Sequence, residues 1–189
     1  MPIVFSGVST GSAGGVQQSY ELTHAAFLEG QLSDIRDNTI GTYVNETGGV
    51  VAFGNAVVFN SGGTGAQSAK TVAGTALPLA GVNVLTYVDE TALDAANRPG
   101  VKDDQVMNVV NEGAVVVYVH GTVTPATAVR VVHTTSGVRT AGRFSAANVS
   151  GVTALVSNAR YLSSVTGSGL AILELNGPSL ALTADTTTA

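Results

Sequence analysis

The 189-residue sequence predicts an all-β protein: a compact β-barrel or β-sandwich core with an extended N-terminal arm and a short C-terminal tail. Strand-length runs rich in Val, Thr and Tyr recur from Ile40 to Val165, the composition that suits a pleated, half-buried surface. Breaks at Gly62-Gly63, Thr135-Ser136-Gly137 and Gly167–Gly169 punctuate them at the spacing of sandwiches and barrels. With 44% hydrophobic residues and a formal charge of −5, the chain also lacks the low hydrophobicity and high net charge that keep a polypeptide disordered.

Residues 1–19 carry no charge and are rich in Gly and Ser. Gly11, Gly14 and Gly15 disfavour a helix through their backbone entropy. The segment reads as an arm whose tip, Ile3, Val4 and Phe5, is an apolar anchor, long enough to reach a neighbouring subunit. A β-rich domain is expected over residues 20–177 and a tail over 178–189. Leu22–Leu28 is the best helical candidate, ended by Gly30. Strands are expected over Val50–Asn60, Gly81–Val88, Val106–Asn111, Ala114–His120, Ala128–His133, Val138–Phe144 and Arg160–Val165.

Within Ala114–His120, Val115, Val117 and Val119 alternate with Val116, Tyr118 and His120. Both faces are largely apolar, so this strand is expected to be covered on both sides or to meet another subunit. Asp89–Lys102 is more polar and reads as a surface excursion. Two apolar runs flank Thr166-Gly167-Ser168-Gly169, where glycine reaches positive φ without a Cβ clash, and so read as a hairpin.

Charged residues make up only 11% of the chain, so much of the surface is expected to be covered by other subunits. Residues 1–112 hold four basic and eleven acidic side chains, a balance of −7. Residues 113–189 hold four arginines against Glu174 and Asp185, a balance of +2. Two lysines in an acidic chain give no footprint for nucleic acid. No run approaches the roughly 18 apolar residues of a membrane span, and Met1–Phe5 has no signal-peptide pattern. The absence of cysteine excludes disulfides and thiolate chemistry.

Candidate chemical motifs fail on context. Gly7-Val8-Ser9-Thr10-Gly11 has the spacing of a nucleophile elbow, but no strand precedes it. His120 and His133 close what read as neighbouring strands and would give a metal two ligands without a third. The doublets Asp89-Glu90 and Asp103-Asp104 suit glycoside hydrolysis in number, yet the chain has no Trp to floor a sugar cleft. Gly62-Gly63-Thr64-Gly65 lacks the Lys-Ser/Thr of a phosphate loop. Neither an enzyme nor a cofactor or metal site is expected.

Three blocks carry a family resemblance: Asn158–Gly177; Thr42–Gly49 with Phe53–Val58; and Gly121–Pro125 with Ala128–Val132. Their wording resembles the structural cement, or capsid decoration, proteins of tailed bacteriophages, over about Gly30 to Gly177. The resemblance implies a virion protein made in the host cytoplasm that binds the outer surface of the capsid and stabilises the lattice of the major capsid protein. It implies self-association, as a homotrimer or alternatively a dimer. Arg130, Arg160 and Tyr161 join Ile3, Val4 and Phe5 as expected contact residues. The alternative from the residues alone is a carbohydrate-binding, lectin-like β module exposed on the virion.

Overall fold

The computed structural model describes residues 28–33, 37–62, 67–86 and 91–186. Fourteen strands form among them: β1 (Thr39–Asn45), β2 (Val51–Ala52), β3 (Ala56–Phe59), β4 (Ser68–Thr71), β5 (Leu79–Asn83), β6 (Thr91–Leu93), β7 (Pro99–Val101), β8 (Val106–His120), β9 (Arg130–Val132), β10 (Phe144–Ser145), β11 (Thr153–Val156), β12 (Ala159–Tyr161), β13 (Gly169–Asn176) and β14 (Leu182–Ala184). There is no helix among the described residues. All of the helical candidate except Leu28 lies outside them, as do the whole of the expected arm and the start of the expected domain before Leu28.

Five strands close a barrel in the order β1-β4-β3-β5-β8, because β8 pairs with β1 as well as with β5. The barrel alternative therefore holds for this half. On the rest of β8 a second sheet is built, running β12-β13-β8-β10-β9-β11-β14. A small sheet, β2-β7-β6, stands beside the barrel.

One strand serves two cores. Met107 and Val109 pack inside the barrel with Tyr43, Val57, Ala69 and Ala80. Val110 points the other way, into a second core with Val115, Val117, Val119, Val131, Phe144 and Leu173. A strict two-residue period puts Val109 and Val115 on one face. The exchange comes from an irregularity: β1 pairs Ile40 with Val110 but Thr39 with Glu112, so Asn111 is the extra residue of a bulge. Gly113 follows at φ +128°, and a Cβ there would lie 1.9 Å from Asn38 Oδ1.

The expected strands are corrected in several places. Val50–Asn60 is broken at Gly54, whose φ is +76°, into β2 and β3. Val106–Asn111 and Ala114–His120 are one strand, β8. Most of Val138–Phe144 is turn, with Ser136 and Arg139 bonded to each other and Val138 80% exposed at the tip. The expected excursion at Asp89–Lys102 contains β6 and β7. Part of the expected tail is integral, with Leu180 buried and β14 paired to β11. The hairpin expected around Gly167 forms as β12 against β13, Tyr161 opposite Leu173.

Candidate interaction site

Val116, Tyr118 and His120 of β8 form the face turned away from the second core, and β13 places Leu170 opposite Tyr118. Cross-strand partners share a face of a sheet. Leu170 floors a cleft of about 370 Å³ whose other lining residues are Leu28, Glu29, Phe53, Leu85, Arg98 and Pro99. Its walls thus come from the small sheet, the barrel and the first described residues.

Backbone bonds fix those first residues on the sheet. Gly30 N–H donates to the Val116 carbonyl at 2.8 Å, Val116 N–H to Gln31 at 2.8 Å, and Leu85 N–H to Gly30 at 2.8 Å. Gly30 has φ +82°, and a Cβ there would fall 2.8 Å from Gly54 N, so only glycine fits.

Beside the cleft lies a network of charges drawn from three distant parts of the chain. Arg143 donates to Glu29 Oε2 at 3.0 Å, and its guanidinium carbon is 4.0 Å from the centre of the Tyr118 ring. Arg98 pairs with Asp94 at 2.6 Å, donates to Asn55 Oδ1 at 3.0 Å and stands 3.8 Å from Glu29 Oε1. Tyr118 meets His120 edge to face at 5.1 Å. Burial, then the charges of Arg143, Arg139 and Arg98, push the His120 pKa below its ordinary 6.5.

The site residues expected from sequence separate. Ile3, Val4 and Phe5 lie outside the described residues. Arg130 is held within the second sheet by Asp185 at 3.2 Å, which also accepts from Thr153 Oγ1 at 2.6 Å. Tyr161 is fully buried, a core residue whose ring is not on a surface; burial raises its phenol pKa and the Arg130 charge opposes that rise. Only Arg160 is an exposed side chain, paired with Glu174. The expected histidine pair is corrected too: β10 stands between β8 and β9, so His120 and His133 close strands that are not neighbours. Among the described residues no three His, Cys, Asp or Glu side chains are grouped to hold a metal. Asp103 accepts from Gly48 N–H at 2.7 Å; Asp89-Glu90 and the Gly7–Gly11 motif lie outside the described residues.

Glu29, Asp94, Arg98 and Arg143 were not singled out from sequence. No spacing links Glu29 to Arg143, and only the pairing of the sheets brings them together.

Residues 16–176 match the model of a family described as structural cement protein (E217 gp24/Pam3 gp6). The chain belongs to the structural cement protein family. This cement protein also resembles in fold a chain of the solved structure "The capsid of Myoviridae Phage XM1", with a TM-score of 0.59 and 17% identity over 88% of this chain and 98% of that one. No curated protein sequence matches it significantly. The lectin-like alternative gains no support from either match.

Proposed function

We propose that this cement protein fastens the shell of a tailed bacteriophage by binding the outer surface of its major capsid protein lattice. The family match over residues 16–176 carries the reading. The fold is consistent with it: a barrel and a sheet sharing one long strand make a stiff body, and stiffness lets a clamp transmit load between subunits. The role is structural and not enzymatic.

Self-association as a trimer, or as a dimer, would give each particle several contacts, so that modest pairwise affinities multiply. Binding only the assembled shell stabilises it by mass action. Ile3, Val4 and Phe5 are the proposed anchors, and exposed Arg160 is the proposed contact on the folded body. Arg130 and Tyr161 serve within the fold.

The test is to add purified protein to shells lacking it, image them, and follow shell survival on heating. Occupied exterior positions and a higher disruption temperature are expected. Deleting residues 2–19 should leave the folded body intact and lower occupancy. Shells that take up no protein would overturn the reading, and full occupancy after the deletion would remove the arm from it.

A further inference from the structure

We infer that the cleft between the small sheet and the outer face of β8 and β13 is the seat for Ile3-Val4-Phe5 of a second copy of this chain. The inference rests on the reading of this cement protein as a self-associating clamp, and it names where one copy grips the next.

The chemistry of seat and guest agrees. Leu28, Phe53, Leu85, Pro99 and Leu170 line the cleft, and the two charged lining residues, Glu29 and Arg98, face each other at 3.8 Å. A guest meets apolar walls and a charge pair already balanced. Ile3, Val4 and Phe5 form an apolar run within a 19-residue stretch with no charge. The cleft's volume of about 370 Å³ suits a few side chains and lies at the lower end of the roughly 300–1,000 Å³ of ligand pockets.

The distance along the chain favours a neighbour over the same copy. Leu28 is itself on the rim and 61% exposed. An anchor meant for its own cleft needs only a few residues before Leu28, but 22 separate Phe5 from it. Fully extended, that spacer reaches about 70 Å at roughly 3.3 Å per residue. A folded domain of this size is roughly 40 Å across. A spacer of that length is long enough to cross a whole copy, even with Leu22–Leu28 wound as a helix. The family match begins at residue 16, so the anchor lies outside the matched residues.

Because the chain has no cysteine, single-cysteine variants give an unambiguous test. Full-length Phe5→Cys protein is mixed with full-length Leu28→Cys protein and oxidised mildly. Heterodimer is the expected main product, at roughly tenfold the yield obtained with Ser61→Cys, an exposed position past the far end of β3 from Phe53. Phe5→Asp in the full chain should weaken self-association by about tenfold or more in sedimentation. Equal yields at Leu28 and Ser61 would overturn the inference. So would a double variant, Phe5→Cys with Leu28→Cys, that closes only within one chain at every concentration. If those results come while the wild-type protein still occupies shells, the clamp reading stands and the seat alone falls.

Discussion

Arg143 donates to the Glu29 carboxylate at 3.0 Å across 114 residues of sequence, tying the β9–β10 loop to the segment around Gly30. Arg98 approaches the same carboxylate from the small sheet. One acid thus holds together three pieces of chain that no local propensity would join. Glu29→Gln keeps the shape and removes the charge that Arg143 and Arg98 share, leaving Arg98 its pair with Asp94. Chemical denaturation should show a loss of about 1–3 kcal/mol, the range for a charge-assisted hydrogen bond discounted for partial exposure. Unchanged stability would mean that the backbone bonds at Gly30 alone fix the segment.

Tyr161 is fully buried, and its hydroxyl has no hydrogen-bond partner among the described residues. The ring contributes through its packing in the second core, while the hydroxyl loses its hydration. Tyr161→Phe should therefore be neutral or stabilising by up to about 1 kcal/mol, whereas Tyr161→Ala should cost about 3–5 kcal/mol through the cavity it leaves. Thermal melts of the two variants check the pair. A large loss in Tyr161→Phe would show that the phenol oxygen is bonded after all.

His120 should make the fold weaken with acid. Its folded pKa lies below the unfolded 6.5 because of burial and the charges of Arg143, Arg139 and Arg98, with Tyr118 against its ring. Between the two values the unfolded chain binds more protons, so stability rises with pH through this window and is lost as pH falls below 6.5. The unfolding midpoint of the wild-type protein should drop more steeply between pH 7 and pH 5.5 than that of His120→Gln. Parallel curves would count against a proton-linked role.

Alternation was legible in the sequence; its interruption was not. Val115, Val117 and Val119 read as one buried face, and they form it. The apolar character of Val116, Tyr118 and His120 marked a second covered face, and Arg143, Leu170 and the Gly30 backbone border it. What escaped was the extra residue at Asn111, because a one-residue bulge is decided by pairing with a distant strand. Val138–Phe144 failed for a related reason. Its branched residues favour strand locally, yet Gly137 at φ +58° turns the chain back and the bonds of Ser136 with Arg139 close the turn. The charge network was illegible because its members come from separate elements. Arg130 and Arg160 were visible as rare cations, but exposure is a tertiary property: Asp185 claims the first in the sheet, and the second stays at the surface.

Gly113 tests whether the exchange of faces along β8 is as demanding as the geometry implies. At φ +128° an L side chain is strained, and a Cβ would press on Asn38 Oδ1 at 1.9 Å. The alternative to straining is to straighten the strand, and that would turn Val115, Val117 and Val119 out of the second core. Gly113→Ala should therefore cost about 2–4 kcal/mol, strain and displaced neighbour together. Asn38→Ala together with Gly113→Ala removes the steric part and should recover some of the loss, leaving the backbone strain. If Gly113→Ala unfolds at the wild-type denaturant concentration, the bulge absorbs a side chain freely and the two cores are not coupled through this residue.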